Sequence, residues 1–409
     1  MKKVLLVIFL TLNTFLLSAQ IVLTIEGTEV TDATTGRFEG VIIPRDEPTI
    51  FTYKNNSITS VNFEGYMLQA GDETPGVTNN NLDGEVITGN KLTWNGTDEA
   101  SWTHAMFTGY NINAIIKYNY LDKTPNGIQR KSDGMTDISG AIAYNIIKNP
   151  KVGIVVKGMN GVKIYNNTLY TEKTPAQTYR GLIDIHANTD GGLNAMSTGV
   201  KVFNNIFYTR NKTLNIKIYE TECLDGFESD YNVFWCEAGE PIFEVNGLTK
   251  TFTQWQALGY DVHSIVIDPD FDNFTDFVPR QRLDYGKDLG SAMQTGLSID
   301  AVWGKTDPVT TMQNGKWQAG ARIYEASDKK ASIYPNPAFE YFCVELTDVA
   351  HAYKTVKVYD MNGRMVLTDS LEQGKNTIDI PKSFPAGIYS ITLEADNLDR
   401  YVRKLLIIR

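Results

Sequence analysis

Lys131 and Lys157 close two stretches of the chain that match at an offset of 26 residues, KYNYLDKTPNGIQRKS (117–132) and AYNIIKNPKVGIVVKG (143–158). In each, an Asn follows a Tyr, and a Lys stands twelve residues beyond that Asn. A third stretch, GLIDIHAN (181–188), aligns with GIQRKS and GIVVKG and adds Asp184 and His186. If the three occupy one strand position on successive layers, Arg130, Lys131, Lys157, Asp184 and His186 form a contiguous polar patch. Arg180 reaches in from the preceding loop, and Tyr179 and His104 complete the set of residues for contacting a ligand.

Two ammonium groups one layer apart stand roughly 5–7 Å from each other and repel by about 0.6 to 3 kcal/mol. Repulsion of that size, reinforced by Arg130, drives at least one amine toward its neutral form, in which it is a base. The arginines stay protonated and act only as cations. Cations beside a base suit the removal of a proton from the carbon next to a carboxylate. The cations neutralise the carboxylate, the C–H becomes acidic, the base takes the proton and an oxygen on the next carbon leaves. Polymers of uronic acids carry that arrangement in every unit. Bound Ca²⁺ is an alternative source of the neutralising charge, although the sequence names no metal ligands. The four histidines, His104, His186, His263 and His351, have no metal-ligand spacing to one another. A phosphate-binding loop, a nucleophile elbow and a redox Cys pair are all absent from the sequence.

What would bring such residues together is a repeat. KYNYLDK (117–123), AYNIIKN (143–149), YNNTLYT (165–171), FNNIFYT (203–209) and DYNVFWC (230–236) align on Asn119, Asn145, Asn167, Asn205 and Asn232, which are 26, 22, 38 and 27 residues apart. One insertion accounts for the longest gap. Each segment alternates apolar and polar residues and is rich in Ile, Val, Tyr and Phe, while Gly, Asn, Pro and Lys crowd the gaps. Short strands one coil apart describe a parallel β-helix, in which stacked asparagines pass hydrogen bonds from layer to layer. Earlier coils are expected at 57–68, 84–96 and 104–119, with Asn90 and either Asn111 or Asn113 as ladder members and residues 20–50 as the capping start. The polar segments 171–182 and 187–199 are expected to project from one face.

The 409-residue chain begins with two lysines, an apolar run and a small residue at Ala19, the pattern of a secretory signal peptide over 1–19. No later stretch approaches the length of a membrane-spanning helix. A formal charge of −10 argues against a nucleic-acid partner while leaving room for a local basic patch that binds an anion. Three cysteines allow at most one internal disulfide, with Cys223 and Cys236 the nearest pair; the alternative is two small buried side chains. The expected organisation is a signal peptide (1–19), a β-helix (20–326), a linker (327–332) and a small β-sandwich (333–409), in a monomer. The last segment places YPNPA (334–338), VYDMNGR (358–364), NTIDI (376–380), AGIY (386–389) and KLLIIR (404–409) in order around an Asn-Gly hairpin signal.

That tail resembles the C-terminal sorting domains of the type IX secretion pathway, which implies passage across the outer membrane through that machinery, then release or attachment at the cell surface. The region 252–325, with its Trp, Asp-Pro and closing Gly-Ala run, resembles the end of many secreted β-helix proteins that act on carbohydrates. The patch resembles that of the right-handed β-helical polysaccharide lyases of the pectate-lyase-like superfamily, in which a Lys on one coil and an Arg on the next flank the substrate. By that resemblance Lys157, Lys131, Arg180 and His186 are catalytic, and Arg130, Asp184, Tyr179 and His104 bind an anionic polysaccharide. Two other classes stay open. A glycosidase or epimerase would draw on Asp184, Asp190, Glu220 and Glu222, NTDG (188–191) being similar to one polygalacturonase motif. A non-catalytic glycan-binding solenoid would present Tyr170, Tyr179 and Tyr208 as stacking platforms.

Overall fold

In the computed structural model of the protein, the asparagines of the repeat stand in one column. From Asn56 through Asn90, Asn119, Asn145, Asn167 and Asn205 to Asn232, each Nδ2 donates to Oδ1 of the next at 2.9–3.1 Å. The same Oδ1 accepts the backbone N–H of the preceding Asn, so each amide oxygen is doubly satisfied in a dry interior. The residue before each ladder Asn (Asn55, Gly89, Tyr118, Tyr144, Asn166, Asn204, Tyr231) is left-handed, with φ between 50 and 68°. One such residue turns the chain through a sheet corner without a loop, and Asn or Gly tolerates it best. The 38-residue gap is one coil with an insertion, since Asn167 bonds Asn205 directly. Asn111 and Asn113 serve elsewhere, the first accepting from Arg130 and the second from the Ser139 backbone.

The structure describes residues 21–31, 49–60, 66–71, 84–96, 104–178, 180–313, 315–324, 331–346, 353–395 and 400–408. The expected signal peptide, Tyr179 and most of the expected linker lie outside them. Two compact units emerge, 1–324 and 325–409. In the first, successive coils contribute strands to three sheets whose neighbours run parallel, except for Leu248–Thr251, which closes the third sheet antiparallel. The first sheet runs from Ile21–Glu26 to Glu228–Asp230, and the second from Glu29–Thr31 to Ile265–Val266. The third includes His104–Gly109, Asn126–Lys131, Val152–Lys157, Ile183–His186 and Leu214–Ile218 as successive neighbours. Inward positions stack like on like, as in the column Ile128, Ile154, Ile183 and Ile216. Because side chains alternate between faces, this stacking fixes the register of every outward residue on the same strands.

The core ends in a plug. Thr251 caps the short helix Phe252–Gln256, whose buried Trp255 stacks on Phe243 at 4.8 Å. Trp255 Nε1 donates to Asp261, and Asn232 donates to the same carboxylate, so the ladder finishes on an acceptor that needs no further layer. Residues 268–324 then depart from the coil path as a strap along the corner of the first two sheets. Its partners include the left-handed residues in turn. Asn204 reaches Lys287 O at 2.8 Å, Tyr144 donates to Met293 O, Tyr118 to Thr295 O at 2.7 Å, and Asn55 to Asp307 at 2.8 Å. Phe271, Phe277 and Leu297 of the strap cover Tyr120, Tyr170 and Tyr208 of the second sheet. Tyr170 and Tyr208 are therefore buried and donate to Glu172 and Glu237, which removes them as stacking platforms.

All three cysteines are free and buried. In the second unit, two antiparallel sheets of three and four strands share the core around Phe342, Val344, Val356, Ile378, Ile391 and Leu405. Its Asn362-Gly363 turn joins Tyr353–Tyr359 to Met365–Ser370 as a hairpin. Among the described residues, no helix is long and apolar enough to cross a membrane.

Candidate functional site

Lys131 pairs with Lys157, and Lys157 with His186, at one register position on three successive coils. All three side chains lie on the outer face of the third sheet, where their strands end. Two residues earlier, Gln129, Val155, Asp184 and Lys217 form a second outward column, which the pair Lys217–Glu244 continues at 3.0 Å. Tyr219 follows the next strand and sits over His186, with ring centroids 5.2 Å apart. Aligning LNIKIYE (214–220) with GLIDIHA (181–187) would have found Lys217 and Tyr219, because the two coils are in register.

Arg130 does not join this patch. It shares the column of Val156 and Ile185, and so points inward. Only 1% exposed, it donates to Asp137 at 3.0 Å, Asn111 at 2.7 Å and Thr108 at 3.1 Å. Adjacent residues of a strand cannot share a face, so Arg130 and Lys131 had to part. His104 is also removed from the lysines, at the far end of its strand, where it packs against Tyr66 at 5.2 Å.

Between the lysines stands a carboxylate that the repulsion argument lacked. Residues 188–195 form a closed excursion, joined at the base by reciprocal backbone bonds between Asn188 and Ala195. Its tip turns through Asp190–Gly192, with Gly191 and Gly192 at φ 63° and 84°. Asp190 Oδ2 lies 2.9 Å from Lys131 Nζ and 2.8 Å from Lys157 Nζ, and its Oδ1 also takes a bond from Lys157 at 2.8 Å. Partial burial pushes the Asp190 pKa up, but the bonds and charges of Lys157 and Lys131 together hold it below the ordinary carboxylate value. The pair is thus a double cation holding one carboxylate.

His186 is shaped as a base. Its Nδ1 faces Ala187 O at 3.1 Å, which fixes the proton there and leaves the lone pair on Nε2. Nε2 is buried and has no hydrogen-bond partner among the described residues. Desolvation first, then Lys157 and Arg180, push its pKa down to about 4, so the imidazole is neutral at physiological pH. Asp184 is buried beneath these groups. Burial raises its pKa to about 6 against the pull of Arg180, the Gly181 N–H at 2.8 Å, Lys217 and the Tyr219 hydroxyl at 3.2 Å. Arg180 Nε is 3.6 Å from the Asp184 carboxylate, with its side chain partly exposed, and therefore borders both columns.

The donor set does not suit Ca²⁺. Among the described residues no three His, Cys, Asp or Glu side chains gather, and Asp184 and Asp190 are each already engaged by cations or N–H and O–H donors. Glu220 is occupied by the Ala187 N–H at 2.8 Å. A separate groove of about 410 Å³, lined by Trp94, Lys123, Asn149, Glu172, Lys173 and Gln177, lies on turns that lead into the third sheet, at the end of its strands away from the lysines. The lysine row and this groove are thus apart, and the groups with displaced pKa values, Asp184, His186 and Asp190, stand at the lysine end.

No curated protein and no solved structure matches the chain. Residues 332–408 match the family model described as a secretion system C-terminal sorting domain. The C-terminal unit is accordingly a type IX sorting domain, and the protein is secreted or attached to the cell surface.

Proposed function

We propose that the β-helix unit cleaves an anionic, uronic-acid-containing polysaccharide by β-elimination. The observation that carries this reading is the row of Lys131, Lys157 and His186, two cations and a neutral base at one register position on adjacent coils. The lysines would hold the uronate carboxylate. His186 Nε2 would take the proton from carbon 5, the electron pair would form the double bond to carbon 4, and the C4–O bond would break. The departing oxygen would take a proton from an ammonium group or from water. Relative to the expectation of a lysine base, the basic role passes to His186, because both lysines are taken up in ion pairs with Asp190. Arg180 adds positive charge at the edge of the row, and Tyr219 holds Asp184 beneath it.

A hydrolase would pair Asp184 as acid with Asp190 as base, whose pKa values are displaced in opposite directions. Both Asp184 oxygens are already taken, by the Gly181 N–H and the Tyr219 hydroxyl, whereas His186 Nε2 has no partner among the described residues, and this favours the lyase. The deciding experiment incubates the full chain with alginate, pectate and glycosaminoglycans and follows the ultraviolet absorbance of the unsaturated uronate. Absorbance that rises with cleavage supports the lyase. New reducing ends without it would indicate a hydrolase, and polymer binding with neither would indicate an adhesive solenoid.

A further inference from the structure

Asp190 stands where a ligand's carboxylate would have to go. Its Oδ2 lies 2.8–2.9 Å from both lysine ammonium groups and its Oδ1 2.8 Å from Lys157 Nζ, the geometry with which those lysines would grip a uronate. The tip that carries Asp190 differs from its base. Asn188 at the base is fully buried and donates to Ser132 O at 2.7 Å, locking the excursion to the neighbouring coil. At the tip, Thr189, Gly191, Gly192 and Asn194 are exposed, and two successive glycines are left-handed. The ion pairs of Asp190 hold this polar tip against the strands. A partly exposed carboxylate on a glycine hinge is a contact that a second carboxylate can replace one for one, with no change in charge pairing.

We propose that Asp190 is an internal surrogate for a ligand carboxylate, docked in the Lys131–Lys157 pair and displaced by a uronate when one binds. The inference rests on reading the lysine pair as a carboxylate subsite, and it adds that the resting protein occupies the subsite itself. The buried Nε2 of His186 beside Lys157, unpartnered among the described residues, marks the side on which the rest of the sugar would lie. An incoming uronate therefore competes with a tethered carboxylate, and removing the tether strengthens binding.

The test uses the full chain with glucuronate as the anionic probe and glucose as its neutral counterpart, binding being measured by calorimetry. Asp190→Asn and Asp190→Ser should each bind glucuronate at least tenfold more tightly than the wild type and should leave glucose binding unchanged. Adding Lys157→Met to either variant should remove the gain. Equal or weaker glucuronate binding by the variants overturns the proposal. So does failure of both to fold by circular dichroism, since an exchangeable contact is not needed for the fold. Tighter glucuronate binding without unsaturated product from any polymer would leave the surrogate standing and sink the lyase. Product formation with no gain in the variants would do the reverse.

Discussion

Lys157 and His186 are neighbours in register, and the cation is one reason that the imidazole is neutral. Desolvation contributes the larger part, and the Lys157 charge adds to it. A site that needs cations to hold an anion and an uncharged base to take a proton obtains both from one strand pairing.

The first expectation concerns pH. With its pKa near 4, His186 is in its basic form above that value and loses it as the pH falls through it. Turnover as kcat/KM should therefore stay flat from neutral pH down to about 5 and fall on the acid side. His186→Gln should lower kcat by about 10²-fold or more without moving the unfolding midpoint at neutral pH by more than a few degrees. An acid limb near the ordinary histidine value would argue against this environment.

Asp184 and His186 should also leave opposite marks on stability. Folded Asp184, raised to about 6, contributes stability that is full below 3.8 and is lost as the pH rises through 6. Folded His186, lowered to about 4, contributes stability that is full above 6.5 and is lost as the pH falls through 4. Between these values the two trends offset each other in the wild type. Measured as the difference from wild type, the denaturant midpoint of Asp184→Asn should rise from pH 4 to 6, and that of His186→Gln should fall. Parallel curves for all three proteins would contradict both shifts.

Asn145 lies mid-ladder. Its Oδ1 accepts two bonds from Asn119, and its Nδ2 donates to Asn167 and to Ile116 O. Asn145→Ala leaves the buried Asn119 N–H without its acceptor and takes one of three acceptors from Asn119 Nδ2, which keeps Ile87 O and Lys117 O, and it should cost about 2 kcal/mol or more in denaturant unfolding. Asn56→Ala, at the first rung, should cost less, since its Oδ1 is matched by the Thr28 N–H alone. Equal losses at both positions would mean that the column is not a cooperative unit.

Gly158 follows Lys157 at φ +65°, and a Cβ there would come within 2.4 Å of Asn188 Cβ and 2.5 Å of Ser132 O. Gly158→Ala should push the base of the 188–195 excursion outward and carry Asp190 off the lysines. Substrate KM should change by several-fold while circular dichroism still shows the β-helix. An unchanged KM would show that the excursion can shift without Asp190 following.

Much of this was legible in the chain because the repeating unit is held by one residue type with one job. A ladder rung must be an amide that both donates and accepts, so Asn recurs at a spacing the eye can follow, even across the 38-residue gap. The alignment of Lys131, Lys157 and His186 followed directly. Arg130 was misplaced because similarity along the sequence says nothing of strand parity unless the inward Ile128 is used to set the phase. Asp190 was visible only as a free carboxylate, since an excursion folds back to a place that the period does not encode. The strap was unreadable for the same reason, as Asn166 meets Gln318 across 152 residues of sequence through a backbone carbonyl that any residue supplies.

That strap also works as a gauge of length. It meets the corner residues from Asn204 down to Asn55, each on its own coil. One coil more or fewer between these points would displace the far end by about 4.8 Å and part Asp307 from Asn55 and Lys54. Solenoids commonly evolve by duplicating coils, and here such a duplication would have to be matched by a longer strap. Over that span the strap therefore fixes the number of coils that can lie between its two ends.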